Sequence, residues 1–493
     1  PIRWSTLLDH PKPWSAHPDK WQNGVAWPSA TLAANAVSGW WGKHLDDLTR
    51  HLAAYAARTS FGDLTKEAID AAILRIVDSL ACAIAAYDCE TAAIGRRLAA
   101  GAAPDRYRGR ILGFGDQTTA EAAAFVNTCL IRALDFNDQY PSGHPSDCLG
   151  ALLALAEAAG ADGSRFLTSA IVAYELFIRL NDATTLRQQG WDQGYIIGLS
   201  TAAGVGNLLG LPAEAIGEAI AITAVANLPM RNTRAGELSL WKGAATAYAV
   251  RNGVFGALLA AEGMTGPERP FDGIDGLWQQ ITGPFEIAPF ADEGGAFRIA
   301  DVNMKFWPVE YNAQIVVWAA LQLREQPDWR DLVSIDVATY SFTVSEIAGG
   351  PERWDPKTRE TADHSLPYIF ARTLVDGTMT AASFEETAVL DPALRPLMAK
   401  IKVRADERFD AIYPATIAMQ VDAMSTDGRR NVIDLRDPLG HEKNPMQEKD
   451  VRAKFQAAVE TVLGPQRSAA ALTAWLDLPN CTELPAAMAL LNI

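Results

Sequence analysis

The chain reads as a mainly α protein, a large all-helical domain followed by a smaller α+β domain. Apolar residues recur at helical spacing from Asp63 to about residue 263, alanine and glycine are dense inside those stretches, and the pattern turns to strand-like alternation beyond residue 330. At 493 residues the chain also exceeds the ~250–300 residues at which one hydrophobic core stops growing, so two domains are expected.

Residues 1–45 are rich in tryptophan and proline without periodicity and read as an N-terminal arm wrapped on the surface or reaching a neighbouring subunit. The helical domain follows over residues 46–300. Ile69, Ile73, Ile76, Leu80 and Ile84 place one apolar stripe on its first long helix. Further helices are expected over 116–134, 147–160, 163–182, 195–209, 213–227 and 240–263. Small residues at 202–206 and 243–249 let their backbones approach closely. The segment GPERPFDGIDG from Gly266 breaks the helical period. Over 301–440 an α+β domain is expected: Ile335, Val337, Thr339 and Ser341 alternate, as do Ile417, Met419 and Val421, and Asp427-Gly428 before Val432–Leu435 is a hairpin signal. Residues 441–493 return to helix, with Val451, Phe455, Ala458 and Val462 facing the first domain.

Lys and Arg number 43 against 59 Asp and Glu, a net charge of −16, which repels polyanions and argues against nucleic acid or an anionic membrane as partner. A small anion is still possible where Arg and Lys cluster locally. Apolar runs fall short of the ~20 residues of a membrane span, and no secretory signal is read at the N-terminus, so a cytoplasmic protein is expected. Five cysteines without a CxxC pair and seven scattered histidines point to no disulfide and no metal.

Four segments concentrate chemistry. LDFNDQYPSGHPSD, Leu134 to Asp147, holds Asp135, Asp138, Asp147 and His144 in a loop that Pro141, Gly143 and Pro145 keep from being helical. Its plainer reading is an inter-helix turn with Asp135 and Asp147 capping helix ends. RNTRAGELSLWKG, Arg231 to Gly243, spaces Arg231 and Arg234 so that both forks can face one carboxylate pair, with Lys242 behind them; the alternative is a solvated turn and a snorkelling lysine. NMKFWPVEYNAQ, Asn303 to Gln314, sets Lys305 among aromatics with Glu310 beyond the proline. RETADHSLPY, Arg359 to Tyr368, offers His364 as a cleft acid, with Thr361 or Asp363 as helix caps. A further loop, GWDQG, presents Asp192 and Gln193 at a helix start.

Together and in this order, these blocks resemble the MmgE/PrpD family, whose members include 2-methylcitrate dehydratases, cis-aconitate decarboxylases and an iminodisuccinate epimerase. LDFNDQYPSGHPSD is similar to the family's aspartate loop ending in HPS, GELSLWKGAATAYAVRNGVFGALLAAEGMTGP to its lysine helix, and KFWPVEYNAQ to its K-x-x-P block. The resemblance implies that the smaller domain is a lid on the helical one, that the protein is a homodimer, and that Asp135, His144, Lys242 and Lys305 are catalytic. Substrate-binding residues would be Arg231, Arg234, Asp138, Gln193, Glu310 and His364. The family commonly has a histidine where Asp192 or Gln193 stands, and its dehydratase branch has one near Asn312.

The expected activity is a cofactor-independent lyase for a di- or tricarboxylate, with a 2-methylcitrate dehydratase-like hydro-lyase first. Removing a proton next to a carboxylate builds negative charge, which fixed cations must hold. His144, oriented by Asp135 or Asp138, is the expected acid/base. A decarboxylase or epimerase on the same scaffold is the alternative. A non-catalytic polycarboxylate-binding protein is the third reading.

Overall fold

The computed structural model describes residues 45–493 apart from 102, 103, 105, 185 and 237, so the N-terminal arm expected over 1–45 lies, Leu45 excepted, outside the described residues. Helix α1 (Asp47–Arg58) starts where the Asp46 carboxylate accepts the Thr49 N–H at 2.8 Å. Next come α2 (Lys66–Ala85), α3 (Glu90–Ala99), strands β1 (Arg108–Arg110) and β2 (Gln117–Thr119), then α4 (Ala120–Arg132) and α5 (Leu149–Leu155). The antiparallel β1–β2 ribbon corrects the expectation of an all-helical domain. Three-residue strands are too short to leave a period in the sequence.

Helices α6 (Gly163–Ala183), α7 (Gly194–Leu209), α8 (Ala213–Ala226) and α9 (Trp241–Ala261) follow. Close approach of α7 and α9 depends on glycine: a Cβ on Gly253 would lie 2.5 Å from the Gly198 carbonyl oxygen. Such contacts bury α7 almost entirely, so its apolar residues surround the helix instead of forming one stripe.

A second hydrophobic cluster begins near Val309. It comprises α10 (Gln314–Arg324), β3 (Leu332–Thr339), α11 (Ser341–Ile347), α12 (Arg359–Ala362), α13 (Leu366–Asp376), α14 (Glu386–Val389), α15 (Arg395–Met398), β4 (Ile401–Ala405), α16 (Glu407–Asp410), β5 (Ala418–Ser425) and β6 (Arg430–Arg436). The four strands run in the order β4-β3-β5-β6, with β3 parallel to β4 and antiparallel to β5. Asp427-Gly428 does turn β5 into β6, with Gly428 at φ +83°. Ser341, expected on the strand, instead opens α11, its N–H and hydroxyl both held at 2.7 Å by the Asp410 carboxylate. Strand β4 was not expected, although Ile401, Val403 and Ala405 alternate with Lys402 and Arg404, because five residues make a short run.

Helices α17 (Glu448–Leu463), α18 (Pro465–Leu476) and α19 (Leu484–Ala489) end the chain, and Val451, Phe455, Val459 and Leu463 join the first cluster beside α2. Among the described residues, no helix is long and apolar enough to cross a membrane.

Candidate active site

The α4–α5 loop delivers Asp135, whose backbone turns left-handed at φ +48° immediately after the helix. Aspartate tolerates this conformation better than most residues. Its carboxylate is buried and meets Arg132 directly, Lys305 Nζ at 2.8 Å and Lys242 Nζ at 3.3 Å. Lys305 also donates to the Asp135 carbonyl at 2.8 Å. Lys242 occupies the first turn of α9, and Lys305 lies just before the second cluster. Burial favours the protonated form of Asp135, but Arg132, Lys242 and Lys305 outweigh it and hold the carboxyl well below the usual range. Burial pushes the Lys305 ammonium down, against the pull of Asp135.

On the other side of Lys242 stands Asp363, 3.3 Å from its Nζ. Asp363 in turn bonds His364 Nδ1, and His364 Nε2 lies 3.7 Å from Asp135. Neither Thr361 nor Asp363 is the helix cap expected of it. Thr358 caps α12 and Ser365 caps α13, which frees Asp363 for the lysine.

His144 is buried with Nε2 3.9 Å from Asp135 Oδ1. The group that orients its other nitrogen is the Asp138 main-chain carbonyl, 2.6 Å from Nδ1, rather than either carboxylate. A carbonyl can only accept, so Nδ1 carries the hydrogen and Nε2 presents a lone pair toward the cations in the neutral ring. Burial, Arg132 and Lys305 push the imidazole well below its ordinary range, which keeps it neutral. The Asp138 carboxylate is engaged elsewhere, accepting from Ser146 and, at 2.7 Å, from the Tyr174 hydroxyl; burial pushes it up to about 6. The Asp147 carboxylate accepts from Asn137 at 3.0 Å and is likewise pushed up to about 6 by burial.

Gln193 accepts the His144 N–H at 2.6 Å, and the loop passes so close that a Cβ on Gly143 would stand 2.5 Å from Gln193 Oε1. Arg231 and Arg234 do not face one carboxylate pair as expected. Arg234 clasps the buried Asp192 at 2.8 and 3.4 Å, whereas Arg231 and Arg187 both turn to Glu346. Arg231 and Arg234 stand three positions apart on a 3-10 turn, where i and i+3 side chains sit one above the other yet find different partners. The Glu310 carboxylate is taken up by the Asn312 N–H at 2.6 Å and side-chain amide at 2.7 Å, and burial pushes it up to about 7. Asn312 also accepts the Tyr340 hydroxyl at 2.6 Å.

Sequence reasoning missed Arg132, Arg187 and Lys454. Lys454 on α17 donates to the main-chain carbonyls of Phe136, at 2.8 Å, and Lys305, at 2.7 Å, with Asp78 as counter-charge at 2.6 Å. It therefore fixes the backbone next to two of the charged residues. A signal existed: Lys454 sits on the same helical face as Val451 and Phe455.

Asp135, Asp363 and His364 place ligand atoms within 4.8 Å of one another, a spacing that could hold a metal ion. The ammonium of Lys242 lies between the two carboxylates and already supplies a positive charge there.

Family models match almost the whole of this framework, MmgE/PrpD N-terminal domain over residues 50–289 and MmgE/PrpD C-terminal domain over 307–478. The chain belongs to the MmgE/PrpD family. Relatives of this MmgE/PrpD protein include 2-methylcitrate dehydratase of Cupriavidus necator, 28% identical over 85% of this chain and 91% of the relative. The 2-methylcitrate dehydratase of Escherichia coli K12 is 28% identical over 76% and 83%. Human cis-aconitate decarboxylase is 26% identical over 69% and 73%.

Proposed function

We propose that the protein is a cofactor-independent lyase acting on a di- or tricarboxylate, most closely a 2-methylcitrate dehydratase-like hydro-lyase. The observation that carries this reading is the convergence of Arg132, Lys242 and Lys305 on Asp135 beside a neutral His144. His144 Nε2 takes the proton next to a substrate carboxylate, and the two ammonium groups hold the charge that builds on that carboxylate. The imidazolium then returns its proton to the departing hydroxyl, which leaves as water, and the ring is neutral again. Asp135 sets the positions of the lysines, and Asp363 aligns His364 beside the same charges.

The similarity to a cis-aconitate decarboxylase supports a second reading in which a C–C bond to a substrate carboxylate breaks to release CO2, and the carbanion left behind takes a solvent proton passed on through His144 Nε2, one proton being consumed per turnover. Epimerisation and ligand binding without turnover remain the other readings of this scaffold. A homodimer and a cytoplasmic setting are part of the proposal, the latter resting on five free thiols.

Incubating the protein with 2-methylcitrate, citrate and cis-aconitate in the presence of a chelator, followed by NMR, tests it. A new conjugated double bond without gas supports dehydration, and CO2 supports the second reading. Tight calorimetric binding without conversion rejects both. Loss of turnover with the chelator rejects metal independence.

A further inference from the structure

Arg187, on the 3-10 turn Leu186–Gln189, and Arg231 aim their Nη2 atoms at a single oxygen, Glu346 Oε1, at 3.3 and 3.5 Å. Glu346 reaches them from α11, in the second cluster's part of the chain. All three side chains are partly exposed, at 30%, 26% and 33%. Ion pairs so exposed and so long are weak and exchange readily with solvent ions. They differ in this from Arg234, which is clamped on a buried aspartate.

Beside the pair lies a cavity of about 100 Å³, lined by Arg187, Arg231, Ser142, Trp191 and Gln193. Gln193 connects it to the reaction centre, because the same side chain holds the His144 N–H. Burial and the neighbouring Arg187 push the Arg231 guanidinium down, the direction expected where two cations share too little negative charge. Two guanidinium forks with one shared acceptor oxygen leave donors suited to a second carboxylate.

We propose that Arg187 and Arg231 form a subsite for a substrate carboxylate remote from the reacting carbon, and that Glu346 fills it until the ligand's carboxylate displaces it. The inference rests on the polycarboxylate reading and deepens it, since it requires a ligand with at least two carboxylates, one at the lysines and one at the arginines. It also makes Glu346 an internal competitor, so removing its charge improves binding.

Calorimetric titration of the full chain with citrate tests this, with acetate and inorganic phosphate as comparators. Glu346→Gln is expected to tighten citrate by about fivefold, because the competent state is no longer taxed by self-occupancy. Arg187→Gln is expected to weaken citrate by about tenfold or more. Acetate, which cannot span both positions, gains nothing from Glu346→Gln. Citrate affinity unchanged in both variants, or a gain for phosphate equal to that for citrate, overturns the subsite. Absent turnover of every acid with these citrate shifts intact defeats the lyase reading alone; turnover with no shifts defeats the subsite alone.

Discussion

Asp135 shares its three cations with other buried carboxylates: Lys242 also holds Asp363, and Arg132 lies 4.0 Å from Asp147. Removing one partner of a buried ion pair commonly costs ~3–5 kcal/mol, so these shared pairs hold one another in place. His144 stands apart from this group in being neutral. His144→Ala is expected to lower kcat by about 10²–10⁴-fold with little change in Tm, and equal loss of fold and activity would mark it as a packing residue. Its pKa lies below the ordinary histidine value, so the base form persists as pH falls through 6.5. The acid limb of kcat/KM should therefore lie well below pH 6.5; a midpoint near 6.5 would contradict the burial argument. The same sign applies to stability. The contribution of the neutral ring is present above 6.5 and is lost as pH falls through the depressed value. Lys454→Met leaves Asp78 buried without its counter-charge and is expected to lower stability by ~3–5 kcal/mol. Adding Asp78→Asn should recover much of the stability but not the activity, because the carbonyls of Phe136 and Lys305 stay unheld. Recovery of both in denaturant melts and assays would make the pair merely structural.

Helices α7 and α9 show what the sequence makes legible at the level of elements. Their lengths were readable from apolar spacing and small residues, and both fall within a residue or two of expectation. Gly253→Leu drives a side chain into the Gly198 carbonyl and should cost ~1–3 kcal/mol, measured by urea unfolding; an unchanged midpoint would mean the helices can separate. The site was legible where residue type is unusual for its surroundings, as with Lys242 and Lys305 among apolar neighbours. Pairings were not. Whether Arg234 meets Asp192 or a ligand depends on where a loop 42 positions away comes to rest. Nor could spacing reveal Arg187, which looks like any surface arginine until Glu346 arrives from α11. Strand β4 and the β1–β2 ribbon escaped for a different reason, their shortness.

For the molecule as a whole, α9 bears Lys242 on its inner side and Trp241, Tyr248 and Phe255 on its outer side, the last three spaced by seven and 46%, 45% and 50% exposed. Large aromatics repeated in this way on one face suit a partner surface. If the protein is the proposed homodimer, light scattering will return twice the 53.2 kDa chain mass, and Trp241→Glu with Phe255→Glu will shift it to monomer. A monomeric parent protein would remove that part of the proposal.

The groups that shape the Asp135 site come from far apart along the polypeptide: Lys305 reaches Asp135 across 170 positions, and Lys454 anchors Phe136 across 318. Holding that stretch of the loop therefore requires α17 to be in place. A chain clipped before α17, however helical, would carry the Asp135 loop without the hold that Lys454 gives the Phe136 and Lys305 carbonyls.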